Sequence, residues 1–249
     1  KRDCLVKLVV LQVNDVYQFA PVDRGSTGGL GRLMTLRKRI HAESPNTLLL
    51  LSGDTLAPSV ESNMFKGRQM VEAWNAVGLD YSVFGNHEFD FGPDVLQERM
   101  KESRFGWLGA NVFDKKTGKI FANTPRYVIR EFEGVKVGIF GIVLEETAQT
   151  SKPGADLEFR DPCATARPIV AELRRKGVRT IIALTHLAMA DDKALALSPF
   201  TVKGDRYGVD VSLSRPLTQT TTASVLVGYS NETFLPGQIP VDEAESSSS

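Results

Sequence analysis

The sequence predicts an α/β fold, and three observations carry that reading. Short apolar runs of strand length alternate with segments whose apolar residues recur at helical spacing. Glycine and proline sit at the boundaries between the two kinds of segment. Apolar residues make up 42% of the 249, enough to bury a full core in one domain.

Leu5 to Val13 is rich in Val and Leu, reads as a buried strand and runs into Asn14 and Asp15. Gly28-Gly29-Leu30-Gly31 reads as a loop, and Arg32 to Ala42 as a helix with Leu33, Leu36 and Ile40 on one face. Thr47 to Leu51 is a short apolar strand that stops at Ser52-Gly53-Asp54. Gln69 to Val77 is helical, with Gly78 as its C-terminal cap. Tyr81 to Phe84 is a strand broken by Gly85-Asn86-His87-Glu88. Pro93 to Ser103 is a helix with proline in its first turn. Trp107 to Val112 and Tyr127 to Phe132 are strand-like, and Val135 to Val143 is a buried strand. Cys163 to Arg175 is a helix closed by Gly177, and Thr180 to Leu184 is a strand ending at Thr185-His186. Val209 to Leu213 and Ala223 to Tyr229 read as closing strands of the same domain, taken as residues 1–235. The acidic segment 236–249, ending in four serines, reads as a disordered tail.

Charge and cysteine content narrow the function classes. Thirty basic residues balance thirty acidic ones, so no net field favours a nucleic-acid polymer or an anionic membrane. No apolar run approaches the roughly 20 residues of a membrane span. The opening Lys1-Arg2-Asp3-Cys4 carries no signal-peptide apolar region. Cys4 and Cys163 could form one bridge or stay reduced, and their spacing builds no thiolate zinc site. Nothing specifies an oligomeric state.

Four strands end in polar residues: Asp15, Asp54, the Asn86-His87 pair and His186. In open α/β sheets the carboxyl ends of the strands form the ligand crevice, so clusters far apart in sequence converge there. Two carboxylates, an amide oxygen and an imidazole make a mixed O/N donor set suited to Zn, Mn or Fe. Asp54 has two oxygens and can bridge two ions, the arrangement that activates water for in-line displacement at phosphorus.

The ordered motifs Asn14-Asp15, Ser52-Gly53-Asp54, Gly85-Asn86-His87-Glu88-Phe89-Asp90 and Thr185-His186-Leu187 resemble those of the calcineurin-like metallophosphoesterases. Asn75-Ala76-Val77-Gly78-Leu79-Asp80 and the extended Gly85–Asp90 run point to the 5′-nucleotidase and cyclic-nucleotide phosphodiesterase branch. The resemblance covers about residues 5–197. It implies a four-layer sandwich of two mixed β-sheets flanked by helices. It implies a two-metal centre that hydrolyses phosphomonoesters, often nucleotides, and a periplasmic or extracellular setting. By motif, Asp15 would ligate the first metal, Asp54 both, and Asn86 and His186 the second. His87 would protonate the leaving oxygen or stabilise the phosphoryl charge, and Asp90 would orient its imidazole.

The chain departs from that pattern twice. Tyr17 stands where the motif Asp-x-His has histidine, and a phenol is a weaker ligand for most divalent ions. It would contact substrate or bind a metal weakly. The family's Gly-His-x-His motif is also absent: the only histidines are His41, His87 and His186. Resemblance breaks near Leu197-Ser198 and resumes at Pro199 to Asp205, so either a segment is deleted or the sequence is incomplete there. If the deletion is real, one ligand would be lost from each metal, giving weak or single-metal occupancy and poor turnover. Two readings follow: a 5′-nucleotidase-like phosphoesterase, and a binding module that keeps the fold without a complete metal site.

Overall fold

The computed structural model describes residues 6–197, 206–207, 211–216, 222–227 and 231–232. Cys4, the resumption at Pro199 to Asp205 and the 236–249 tail therefore lie outside the described residues. The chain runs through β1 (Val9–Val13), the hairpin β2 (Pro21–Val22) and β3 (Thr27–Gly28), α1 (Leu30–Glu43), β4 (Thr47–Leu51), α2 (Val60–Phe65), α3 (Arg68–Val77), β5 (Tyr81–Val83), α4 (Pro93–Glu102), β6 (Gly106–Leu108) and β7 (Val112–Asp114). It continues through β8 (Val128–Phe132), β9 (Val135–Val143), α5 (Thr147–Thr150), β10 (Leu157–Phe159), α6 (Pro162–Arg175), β11 (Thr180–His186) and α7 (Met189–Leu197). The strands β12 (Arg206–Tyr207), β13 (Val211–Pro216), β14 (Thr222–Val227) and β15 (Asn231–Glu232) follow.

Two mixed sheets form the centre. The larger has the order β13-β14-β1-β4-β5-β6, with β1, β4, β5 and β6 parallel and β14 and β13 antiparallel. The smaller has the order β11-β9-β8, with β11 parallel and β8 antiparallel to β9.

The two-residue strand period distributes apolar side chains among three cores. Leu48 and Leu50 of β4 face the second sheet and pack with Val83, Leu108, Ile139 and Leu184. Leu49 and Leu51, one residue out of phase, face the opposite way toward Leu33, Met70, Trp74 and Leu96 of α1, α3 and α4. Phe140 and Ile142 of β9 do the same for the second sheet, meeting Ala166, Ile169 and Leu173 of α6. Helix, sheet, sheet and helix thus stack in four layers, the architecture the resemblance implied. Each fully buried leucine contributes roughly 1.5–3 kcal/mol, which explains why β4, packed on both faces, has no polar residue after Thr47.

Several boundaries differ from the sequence reading. β1 begins at Val9 rather than in the Leu5–Leu8 region, of which Leu5 is not described. Leu30 and Gly31 belong to α1 rather than to a loop, and Leu30 with Leu33 forms its buried face while Leu36 is exposed. Trp107 to Val112 is not one strand: the Val112 N–H turns back onto the Gly109 carbonyl, separating β6 from β7, which pairs with β10 instead. His186 lies within β11 as its last residue. Cys163 is a free thiol. No described helix is long and apolar enough to cross a membrane.

Candidate active site

The parallel strands β1, β4 and β5 and the strand β11 of the second sheet end on the same side of the sandwich. Val13, the last residue of β1, pairs with Leu51, the last of β4, so Asp15 and Asp54 emerge side by side. Their loops are cross-linked: the Ser52 N–H donates to Val13 O at 2.8 Å and the Asp15 N–H to Gly53 O at 3.2 Å. Both aspartates adopt the left-handed backbone region, with φ of 54° for Asp15 and 62° for Asp54. That conformation is uncommon outside glycine and costs of order 1 kcal/mol or more, and it persists where surrounding bonds over-determine it.

Those surrounding bonds centre on Glu88, a residue the sequence reading left without a role. Its carboxylate is 1% exposed. It accepts backbone N–H groups from Asp54 at 2.8 Å, Thr55 at 2.7 Å, Leu56 at 3.2 Å and Gly85 at 2.5 Å. Burial and the Asp54 charge push this carboxyl up, while the N–H groups pull it down. All four partners are donors, which suits the ionised form. Glu88 ties the loop after β4 to the loop after β5. Glycine is required on both sides of that seam. A Cβ on Gly53 would lie 2.7 Å from Gly85 N and 2.8 Å from His186 Nδ1, and one on Gly85 would strike the Asp54 carboxylate.

The seam brings Tyr17, His87 and His186 to one oxygen, Asp54 Oδ2, with Asp15 and Asn86 in contact with Tyr17 and His186. Tyr17 Oη donates to Asp15 Oδ1 at 2.7 Å and reaches Asp54 Oδ2 at 3.2 Å. His186 Nε2 lies 3.5 Å and His87 Nε2 3.9 Å from the same oxygen. The His87 backbone N–H donates to Asp54 Oδ1 at 2.9 Å. Burial pushes the Asp54 carboxyl above the usual carboxylate range, although His186 and His87 oppose that shift. Burial, then the Asp54 and Asp15 charges, push the Tyr17 phenol far above its ordinary value, so Tyr17 is a neutral donor between two carboxylates.

His186 is oriented by its other nitrogen. Nδ1 lies 2.7 Å from the Ser52 carbonyl, which can only accept, so Nδ1 carries the proton. Nε2 then presents a lone pair to Asn86 Oδ1 at 3.2 Å and to Asp54 Oδ2. Three acceptors facing one another repel unless a cation or a proton lies between them. A carbonyl holding the far nitrogen is also the common support of a metal-ligating histidine. Asp54, Asn86 and His186 therefore fit one divalent ion. Asp15 and Asp54 share the phenol proton instead. Among the described residues, no three His, Cys, Asp or Glu side chains form a metal-binding group by themselves.

His87 and Asp90 stand beside this set. His87 Nδ1 is 2.6 Å from Asp90 Oδ2. Burial pulls the imidazole down, but the Asp90 hydrogen bond and the Asp54 and Asp90 charges outweigh it and raise its pKa above the ordinary histidine value. The Tyr17 ring meets the His87 ring edge-on at 5.9 Å. Ser151 Oγ donates to the second Asp90 oxygen at 2.7 Å, a contact with no local sequence signal. Asp192 of α7 hydrogen-bonds Thr185, next to His186, and was likewise not singled out from the sequence. His41, on α1, is exposed and takes no part. A small cleft opens beside Tyr17, lined by Phe19, Ser59, Glu61 and Gln69 among others.

Comparison with known proteins identifies the family. Residues 8–214 match the calcineurin-like phosphoesterase family. The chain is 32% identical to a 5′-nucleotidase of Vibrio vulnificus over 92% of its own length and 41% of that protein. It is 32% identical to a human 5′-nucleotidase over 76% of its length and 35% of that protein. Among solved structures, the 5′-nucleotidase precursor of Thermus thermophilus superposes with a TM-score of 0.70 at 31% identity, over 76% of this chain and 39% of that one. The NAD nucleotidase of Haemophilus influenzae gives a TM-score of 0.70 at 27% identity, over 77% and 36%. The chain thus spans about two fifths of the length of these relatives. Motif order, four-layer fold and family match coincide, and the chain belongs to the calcineurin-like phosphoesterase family.

Proposed function

We propose that the chain is a 5′-nucleotidase-like phosphoester hydrolase that works with a divalent cation of the Zn, Mn or Fe type. The observation that carries this reading is the gathering of strand-end residues about Asp54: His186 and His87 lie 3.5 and 3.9 Å from its Oδ2, Tyr17 links it to Asp15, and His186 Nε2 meets Asn86 Oδ1. Asp54, Asn86 and His186 would hold the ion. When bound, it would supply Lewis acidity toward a phosphoryl oxygen and lower the pKa of water.

The remaining steps fall to the chain's own groups. His87 donates Nδ1–H to Asp90, which leaves Nε2 to carry the catalytic proton. The raised pKa favours the form in which that proton stays on the ring. As the bond from phosphorus to the leaving oxygen breaks, Nε2–H passes its proton to that oxygen. Tyr17 remains neutral and donates toward Asp15 and Asp54, restraining two like charges that would otherwise repel. The family's two-ion centre would here be reduced to one well-formed position. The catalytic unit is taken as residues 1–235, and nucleotides and simpler phosphomonoesters are its proposed substrates.

The test is phosphate release from AMP and from p-nitrophenyl phosphate, with EDTA and with added manganese. The expected result is turnover that requires the metal and falls by roughly 10²–10⁴ in His87→Ala, the usual contribution of a general acid. Turnover unaffected by EDTA, or none on any phosphoester, would overturn it. A second reading, a nucleotide-binding module without turnover, is favoured by the neutral Tyr17 bridge between Asp15 and Asp54. It predicts saturable AMP binding by calorimetry with no phosphate release.

A further inference from the structure

We propose that Ser151 is a positioning residue for this site, acting on His87 through Asp90; it rests on the reading of His87 as the proton donor. The Asp90 carboxylate is held at both oxygens. Oδ2 is 2.6 Å from His87 Nδ1, and Oδ1 accepts the Ser151 hydroxyl at 2.7 Å. The two contacts come from different parts of the chain. His87 and Asp90 share one short turn after β5, three residues apart. Ser151 lies 61 residues beyond Asp90, at the end of α5.

The Ser151 backbone is itself fixed, since its N–H donates to Thr147 O at 3.2 Å in the last turn of α5. The hydroxyl therefore reaches Asp90 from an anchored frame. This matters because Asp90 is not sealed: its side chain keeps 24% of its surface. Bonded only to the imidazole, such a carboxylate can rotate about its terminal torsion, which is soft and roughly two-fold. It would then exchange the oxygen on Nδ1 for one facing water. With Ser151 donating to Oδ1, rotation breaks two hydrogen bonds instead of one. Oδ2 is thereby kept facing Nδ1, and as an acceptor it keeps the ring proton on Nδ1. Nε2 is thereby held facing Asp54 at 3.9 Å, the side on which the leaving oxygen would lie.

Ser151→Ala and Ser151→Thr, made in the full chain, test the assignment with two readouts. The first is ¹⁵N chemical shifts of the His87 ring, recorded at a pH where the ring is neutral, which report its tautomer and need no turnover. The second is kcat and KM on phosphomonoesters whose leaving groups span a wide pKa range. In Ser151→Ala, the ring should lose its single Nδ1–H state. kcat should fall roughly 10-fold, the lower end for loss of a supporting hydrogen bond, most for poor leaving groups and with KM unchanged. Ser151→Thr keeps the hydroxyl and should restore both. Unchanged ring shifts in Ser151→Ala would overturn the proposal, as would a loss confined to KM or one that Thr fails to rescue. Altered ring shifts in a protein that hydrolyses no phosphoester would sustain the positioning role and sink the hydrolase reading instead.

Discussion

Glu88 gives the sharpest test of how the fold holds its site. In Glu88→Gln the side chain keeps its shape and one acceptor oxygen. That oxygen can still serve Thr55 N and Leu56 N. The new NH₂ would face Asp54 N and Gly85 N, donor against donor, where Oε2 now accepts at 2.8 and 2.5 Å. Hydrogen bonds to a charged acceptor contribute roughly 1.5–3 kcal/mol each, so losing two removes about 3–6 kcal/mol. Relief from burying a carboxylate offsets part of this, which leaves a net loss of about 3 kcal/mol. For a domain of this size each kcal/mol moves Tm by about 2–4 °C, so the melt should fall by roughly 6–12 °C. Differential scanning calorimetry, checked by urea denaturation, measures it. A melt unchanged within 2–3 °C, roughly one kcal/mol, would refute the claim that this carboxylate fastens the two loops.

The remaining predictions concern the chemistry. Asp90→Asn removes the charge, and with it the charge-assisted strength of the hydrogen bond, that raise the His87 pKa, so the ring titrates at lower pH. A general acid acts below its pKa, so the falling alkaline limb of the kcat profile should move to lower pH; a limb that stays put would exclude His87 as the proton donor. Gly85→Ala sets a Cβ 2.7 Å from Asp54 N and against its carboxylate. Displacing the carboxylate by about 1 Å should lower kcat on the order of 10²-fold, measured by steady-state kinetics beside an unchanged far-UV spectrum. Tyr17→His puts an imidazole where the phenol now bridges Asp15 and Asp54, and manganese stoichiometry by elemental analysis should rise from one toward two per chain.

What was legible in the sequence was whatever a local pattern enforces. Thr47–Leu51 and Val135–Val143 are read residue for residue, because burial on both faces leaves apolar runs at 48–51 and 137–143 with polar residues near their ends. Asp15, Asp54, Asn86 and His186 were legible as strand-end residues, and the fold brings them together as expected. α2 left no such trace: Val60, Met64 and Phe65 are exposed, so its apolar residues mark no buried face. β6 and β7 fused into one predicted strand because Trp107 to Val112 is apolar throughout apart from Asn111, and only the turn at Gly109 divides them. Glu88 and Ser151 escaped for a different reason. Three of the four backbone groups that Glu88 accepts lie 32 to 34 residues away, and the partner of Ser151 is a carboxylate 61 residues away. No local pattern marks an acid that will be buried or a hydroxyl that will face it.

The central claim is that Asp54, Asn86 and His186 form one cation position on which phosphoester hydrolysis depends. Calorimetric titration of the metal-stripped chain with manganese, with phosphate release followed in the same samples, tests it most directly. The account predicts one ion per chain, hydrolysis that rises in step with occupancy, and loss of both in His186→Ala. Binding that survives His186→Ala unchanged, or hydrolysis that proceeds without the ion, would contradict it.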